Sequence, residues 1–293
     1  MPQKTLTVVV PAYNEEAALP TVLPRLIDCC EKNDWKLIVV NDGSEDRTAE
    51  ILGDFAHVGR LRVLHHKVNR GYGGAIKSGI RAVDTAYVVT IDADGQHYVE
   101  DLESLFRELQ EQDADMVVGS RKGLAASSWY RGLGKNLIRF VAHFLLELHI
   151  FDINSGMKIY DAALAQRYLK LCPDSMAFSD VITLVFVSRR HRVSERPIRI
   201  RERVAGQSTI STRTALETLM EILNIVVLFN PLRIFLPISL VSVVLGFAWG
   251  IPIVWRGNGV SVGAMLAIVT GVVFFLLGLL AEQISLIRRD DRS

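Results

Sequence analysis

From Leu6 to Gly119, short β-branched runs alternate with segments of helical spacing. Leu6-Thr7-Val8-Val9-Val10 reads as a strand stopped by Pro11, and Ala17 to Lys32 as a helix with Leu19, Val22, Leu23, Leu26 and Ile27 on one face. Leu37 to Val40, Leu61 to Leu64, Tyr87 to Ile91 and Met116 to Gly119 read as further strands. The intervening segments Arg47 to Phe55, Gly74 to Val83 and Val99 to Gln112 read as helices. Such alternation predicts an α/β fold with parallel βαβ units and a doubly wound sheet.

Beyond Arg121 the alternation ends. Lys135 to Ile150 has an apolar face of Leu137, Ile138, Phe140, Val141, Phe144, Leu145 and Leu148, while Arg131, Lys135, Arg139 and His143 run along the other side. Two readings fit this pattern, a helix lying in a membrane interface and a surface helix packed on the sheet. Thr214 to Phe229 is a second amphipathic candidate, leading into the apolar stretches Leu232 to Trp255 and Met265 to Ile287. Each stretch is long enough to cross a ~30 Å hydrocarbon core as a transmembrane helix.

The expected organisation is a catalytic domain over 1–211, a juxtamembrane amphipathic helix over 212–230, and a two-helix hairpin with a short tail over 231–293. Arg233 precedes the first span, Arg256 stands in the connection, and Arg288, Arg289 and Arg292 follow the second span. This distribution places both termini in the cytoplasm, with the protein integral to the inner or plasma membrane. No apolar segment precedes Thr5, so no signal peptide is expected.

Composition adds exclusions. The 293 residues carry a formal net charge of +1, which argues against a nucleic-acid partner. Mean hydropathy is +0.25, raised by the two apolar stretches. Cys29, Cys30 and Cys172 match neither a disulfide framework nor a zinc spacing, so reduced thiols are expected.

The candidate chemistry lies at strand ends. Asp92-Ala93-Asp94-Gly95-Gln96-His97 follows the strand that ends at Ile91, and its hard oxygen donors suit Mg²⁺ or Mn²⁺ completed by substrate phosphates. Pro11-Ala12-Tyr13-Asn14-Glu15-Glu16 and Asn41-Asp42-Gly43-Ser44-Glu45-Asp46-Arg47-Thr48 follow the first two strands. In a parallel sheet these ends converge on one edge. Tyr13 offers an aromatic face for a nucleobase, Glu15 and Asp42 accept from base and ribose donors, and Asp92, Asp94 and Gln96 hold the metal. Taken singly, each motif also reads as an ordinary turn, and Gly71-Tyr72-Gly73-Gly74 as a loop with neither a Walker lysine nor a dinucleotide fingerprint.

In their order and placement these motifs resemble glycosyltransferase family 2 of GT-A type, and within it the polyprenyl-phosphate glycosyltransferases of the dolichol-phosphate mannose synthase kind. The resemblance runs from Val8 to about Ser211. It continues through Gly119-Ser120-Arg121, Asn154-Ser155-Gly156 and Arg203-Val204-Ala205-Gly206-Gln207-Ser208.

The resemblance implies a nucleotide pocket formed by Pro11, Tyr13, Glu15, Val40, Asp42 and Ala93, and a metal-diphosphate site of Asp92, Asp94 and Gln96. It also implies phosphate contacts from Arg121 and Arg203, which with Asp92 and Asp94 form the catalytic set. Arg131, Ser155 and Ser208 are the candidates for the lipid phosphate. Asp180 falls where related enzymes with hydroxyl acceptors keep a catalytic acid, and reads more readily as a helix N-cap or first-turn charge. Thr209 stands where mannosyl-lipid enzymes commonly keep a lysine.

The implied reaction is inverting, metal-dependent transfer of a hexosyl group from a UDP-glucose or GDP-mannose class donor to a membrane polyprenyl phosphate. The alternatives are a processive polysaccharide synthase, against which the absence of a Gln-x-x-Arg-Trp motif argues, and a non-catalytic membrane scaffold. Gly263, Gly271 and Gly278 along the second span would let helices approach closely, a route to homo-oligomers.

Overall fold

The computed structural model of the chain describes residues 5–121, 150–201, 227, 231–257 and 259–290, which fall into two compact units. In the first unit a seven-stranded sheet has the order β3-β2-β1-β4-β6-β5-β7. Its strands are β1 (Leu6–Ala12), β2 (Lys36–Asn41), β3 (Leu61–His65), β4 (Tyr87–Thr90), β5 (Met116–Ser120), β6 (Lys158–Asp161) and β7 (Val193–Pro197). β1 pairs in parallel with β2 and β4, β2 with β3, and β5 with β7, whereas β6 runs antiparallel between β4 and β5. The sheet is therefore mostly parallel. Strand order reverses between β1 and β4, and at such a switch point a crevice opens beyond the C-terminal strand ends.

Six helices of this unit are described: α1 (Leu19–Asn33), α2 (Thr48–Asp54), α3 (Tyr72–Arg81), α4 (Asp101–Glu111), α5 (Ala162–Tyr168) and α6 (Phe178–Ser188). Because strand side chains alternate, one sheet face sets Val8, Val10, Leu37, Val39, Val89 and Ile159 against Leu23 and Leu26 of α1 and Leu102 and Leu105 of α4. The other face meets α3, where a Cβ added to Gly79 would stand 2.3 Å from Val9 Cγ1, and α6, where Phe186 packs on Tyr160. All three cysteines are free thiols, and burial pushes Cys30 and Cys172 up to about 12.

Two expectations need correction. Pro11 does not stop the first strand, which continues to Ala12 with Pro11 opposite Val40 of β2. Val9 accepts from Ile91 N–H on the β4 side, so Pro11 faces that same side beyond the end of its ladder, where no donor is needed. Strands and helices also alternate again after Arg121, in β6, α5, α6 and β7. Pattern hides both strands, because β6 spans only four residues and carries a buried lysine, and β7 is a polar edge strand ending in proline. The amphipathic segments about 131–150 and 214–229 lie almost wholly outside the described residues.

The second unit contains α7 (Leu232–Trp255) and α8 (Val262–Asp290), both long and apolar enough to cross a membrane. They form an antiparallel hairpin joined through small residues. A Cβ on Gly246 would lie 2.6 Å from Ile268 Cγ1, one on Gly271 2.6 Å from Val243 Cγ2, and one on Gly278 2.8 Å from Phe235 Cβ. Gly263, Gly271 and Gly278 thus serve contact within the hairpin, and Leu240, Leu245 and Leu266 are left on its exposed surface.

Gly246→Leu is expected to splay the hairpin and destabilise it by about 1–3 kcal/mol, the range of core overpacking. Melting of the detergent-solubilised protein measures this, with Val244→Leu, at an exposed position, expected to match the parent.

Candidate active site

The loops after β1 and β2 are laced together. Asn14 N–H donates to Ser44 Oγ (3.0 Å), Glu15 N–H to Thr48 Oγ1 (2.9 Å) and Glu16 N–H to Asp46 Oδ2 (3.1 Å). In return Glu45 N–H donates to Asn14 Oδ1 (2.9 Å) and Arg47 N–H to Glu16 Oε2 (3.0 Å). Asn14 adopts φ 54°, a left-handed conformation that asparagine tolerates better than most residues. The polar residues of both motifs are therefore spent on each other's backbone. Tyr13 projects from this junction, 42% exposed.

Asp42 lies at the base of the crevice, nearly fully buried. One of its oxygens, Oδ1, accepts from Arg70 N–H (3.0 Å) and contacts His66 Nδ1 (2.5 Å), whose ring in turn meets Ser78 Oγ through Nε2 (2.8 Å). Gly43 follows at φ 68°, where a Cβ would stand 2.6 Å from the Val68 carbonyl carbon. No other residue type fits that turn without displacing the 68–69 backbone.

Beyond β4, Asp92, Asp94 and Gln96 are half-exposed, while their neighbours Ile91, Ala93, Gly95 and His97 are buried. Asp92 receives the Tyr72 hydroxyl at Oδ1 (2.8 Å) and faces His97 Nε2 across 3.5 Å at Oδ2. Burial pushes its carboxyl up, but hydrogen bonding and attraction from His97 and the hydrogen bond from Tyr72 outweigh this and hold it below the ordinary carboxylate value. Asp94 Oδ1 accepts from Gln96 N–H (3.0 Å), which closes the turn.

Gly156 is what admits Asp92 to this position, since a Cβ there would lie 2.1 Å from Asp92 Oδ2. Gly71 and Gly73 act similarly for the other neighbour: Cβ atoms there would meet the Asp174 and Pro173 carbonyl oxygens at 2.5 and 2.4 Å. The Gly71-Tyr72-Gly73-Gly74 run is thus a close-packed helix start that delivers Tyr72 to Asp92.

Arg121, at the end of β5, clamps Asp152 in three places. Its N–H, Nε and Nη2 donate at 2.9, 2.7 and 2.7 Å, and Nη2 also reaches the Asn154 carbonyl at 3.3 Å. Burial pushes Asp152 up, and the Arg121 hydrogen bonds and charge pull it below its ordinary value. Glu195 of β7 steadies the same turn by accepting from Phe151 and Asp152 N–H, both at 2.8 Å. Beneath it, Lys158 of β6 is fully buried and donates to the carbonyls of Ile153 (2.6 Å) and Ser179.

The predicted residues therefore separate. Pro11, Tyr13, Glu15, Asp42, Ala93, Asp92, Asp94, Gln96 and Arg121 stand at or beside the C-terminal ends of β1, β2, β4 and β5. Val40 has no exposed surface, with its side chain near Gly79 of α3. Ser155 does not match its expected role at the lipid phosphate: it is fully buried, its hydroxyl within 3.3–3.4 Å of the Met157 backbone. Arg131, Arg203 and Ser208 lie outside the described residues. The chain leading toward Arg203 is tied to the site, because Arg201 N–H donates to Gln96 O at 2.8 Å.

Tyr72, His97, Asp152 and Lys158 are the residues that sequence reasoning did not assign. The flanking glycines signalled Tyr72, and His97 stood within a quoted motif. In Lys158-Ile159-Tyr160 the alternation reads as a lysine facing solvent, and nothing local reveals its burial.

Among the described residues no group of three or more His, Cys, Asp or Glu side chains forms a closed metal cage. Two half-exposed carboxylates and a neutral amide fit instead a hard cation that takes its remaining ligands from water and phosphate.

The family model described as "Glycosyl transferase family 2" matches residues 7–169, and that described as "GtrB C-terminal hairpin" matches residues 230–287. Undecaprenyl-phosphate 4-deoxy-4-formamido-L-arabinose transferases of Edwardsiella ictaluri (strain 93-146) and Proteus mirabilis (strain HI4320) are 29% and 28% identical. These alignments span 98% of this chain and 91% and 90% of the relatives. Among solved structures, glucosyl-3-phosphoglycerate synthase from Mycobacterium tuberculosis in complex with Mn²⁺, UDP-glucose and phosphoglyceric acid aligns with a TM-score of 0.62 at 19% identity, covering 76% of this chain and 80% of that one. S. aureus TarS 1–349 in complex with UDP aligns with a TM-score of 0.54 at 20% identity, covering 77% of this chain and 66% of that one, just under two thirds of its length. These structural likenesses establish a shared GT-A fold. The apolar hairpin and its family match make this a membrane-anchored protein.

Asp92 and Asp152 have folded values below the unfolded ~3.9, so their contribution to stability is present above that pH and lost as pH falls through the folded values. Melting across pH 3–7 is expected to show this acid loss. Asp152→Asn should lower stability at neutral pH by about 1–3 kcal/mol, a range for charged hydrogen bonds with a half-exposed partner, and flatten the acid limb.

Proposed function

The chain belongs to glycosyl transferase family 2 and is a glycosyltransferase, and from that premise we propose that it passes a sugar from a nucleoside diphosphate to the phosphate of a membrane polyprenol. The observation that carries the acceptor half is the end-to-end alignment with undecaprenyl-phosphate transferases, which includes the apolar hairpin as well as the sheet domain. A lipid acceptor keeps its phosphate at the membrane surface, and a hairpin anchor keeps the enzyme there.

In this reading Tyr13 stacks on the base, and Asp42 and Glu15 accept from base and ribose, with Pro11 and Ala93 shaping the pocket. Asp92, Asp94 and Gln96 would hold Mg²⁺ or Mn²⁺, which when bound neutralises charge growing on the departing diphosphate. Arg121 and Arg203 pair with donor or acceptor phosphates, and Arg131 and Ser208 remain candidates for the lipid end. The basic residues flanking the hairpin support cytoplasmic termini, on the side where soluble nucleotide sugars are available.

The step forms a bond from an acceptor phosphate oxygen to the anomeric carbon as the bond from that carbon to the donor phosphate breaks. The nucleoside diphosphate leaves with the electron pair. In-line attack inverts the anomeric centre. A phosphate monoester with a second pKa near 6 is mostly dianionic at neutral pH, so the acceptor needs no strong general base.

Membranes containing the protein, incubated with radiolabelled UDP- and GDP-hexoses and with UDP-pentoses, are expected to yield a labelled, mild-acid-labile lipid with at least one donor. If every donor leaves the lipid fraction unlabelled, the acceptor assignment fails. Asp94→Asn should lower transfer by about 10²-fold or more while membrane insertion persists, as for loss of a group stabilising transition-state charge. Gly156→Ala, which displaces Asp92, should do the same, and normal transfer in either variant would remove the metal role.

A further inference from the structure

Tyr72 is the first residue of α3, and the backbone on either side of it is held from the loop before α6. Gly71 and Gly73 lie so close to the Asp174 and Pro173 carbonyls that neither can carry a side chain without moving that segment. Gly74 N–H donates to the Asp174 carbonyl at 3.2 Å, and Lys77, further along the helix, donates to Asp174 Oδ1 at 2.7 Å. The start of α3 is thus docked on the 173–174 segment, which fixes the point from which the Tyr72 ring reaches out.

The ring reaches Asp92. Its hydroxyl donates to Oδ1 at 2.8 Å, since an ionised carboxylate only accepts. The other oxygen, Oδ2, lies where a Gly156 side chain would begin, and faces His97 Nε2 at 3.5 Å, longer than an ordinary N–H to oxygen hydrogen bond. Gly156 is itself tied to β4, because the Thr90 hydroxyl donates to its carbonyl at 2.9 Å. The last torsion of an aspartate side chain has a broad, two-fold well, so a carboxylate limited at one oxygen still swings. Backbone at Oδ2 and a hydrogen bond at Oδ1 together fix its plane. A phenyl ring would fill the same space as Tyr72, so what tyrosine adds here is the donor.

We propose that Tyr72 is a positioning residue for metal binding: its hydroxyl holds the Asp92 carboxylate in the orientation that, with Asp94 and Gln96, receives a divalent cation and the diphosphate of a nucleotide. The proposal rests on the metal and nucleotide half of the glycosyl-transfer reading.

The full chain in detergent is titrated with Mn²⁺ in the presence of UDP and, in a separate arm, of GDP, with free Mn²⁺ read from its paramagnetic resonance signal. Tyr72→Phe is expected to melt close to the parent and to weaken Mn²⁺ binding about tenfold, the low end of the range for groups that hydrogen-bond a metal ligand. In transfer assays the Mn²⁺ concentration giving half the maximal rate should rise by the same factor, with most of kcat recovered at saturating Mn²⁺. Replacement of Tyr72 by para-aminophenylalanine, which keeps a donor at the end of the ring, should restore Mn²⁺ binding. Parental Mn²⁺ binding by Tyr72→Phe overturns the proposal, because a ring that only packs loses nothing with its hydroxyl. Failure of Tyr72→Phe to fold also overturns it, by showing that the hydroxyl serves the fold, as does a para-amino variant that binds no better than Tyr72→Phe. A parent that binds no Mn²⁺ with either nucleotide removes the metal role of Asp92 and the proposal with it. A parent that binds Mn²⁺ and yet labels no lipid fails only the acceptor assignment, and the Mn²⁺ titration still decides the role of Tyr72.

Discussion

The site depends on carboxylates being kept ionised inside the domain, and the structure meets that demand by pairing each of them. Asp92 has a tyrosine hydroxyl and a histidine ring, and Asp152 has the fork of Arg121. A buried carboxylate without such partners would take up a proton and lose its use as a ligand. The 151–157 turn is where these requirements meet. It offers Asp152 to Arg121, the Ile153 carbonyl to Lys158, and a bare Cα at Gly156 for Asp92 to rest against.

The antiparallel strand β6 makes this turn possible. It enters the sheet between β4 and β5, so the residues just before it arrive beside the ends of both parallel strands. Thr90 fastens the junction by donating to the Gly156 carbonyl at 2.9 Å. On the other side of the switch point, the β1 and β2 loops brace one another through backbone-to-side-chain hydrogen bonds. Their motifs owe much of their residue choice to that bracing, and Tyr13 is left as the exposed ring.

The hairpin obeys a different solvent. Its glycines bring two helices close enough for backbone contact, a driving force that remains when both water and lipid tails leave apolar side chains without preference for one another. Leucines and valines on the outer surface then meet lipid. A glycosyltransferase domain and an anchor of this kind suit a reaction between a soluble donor and a phosphate held at a bilayer surface.

Local pattern by itself determined the parallel half of the sheet, the two apolar helices, and the collection of polar motifs at one sheet edge. Periodicity and span length are physical properties of single segments, and strand direction follows from their alternation. Asp92-Ala93-Asp94 stood out only together with the other strand-end motifs, because alone it reads as an ordinary turn. Only the tertiary structure decided that Pro11 lies inside a strand, that Ser155 faces inward, that Tyr72 belongs to Asp92, and that Lys158 is buried against backbone carbonyls. Each of these turns on which segments become neighbours across long sequence separations, and a residue's own surroundings in the chain carry no record of the charge or backbone it will meet there.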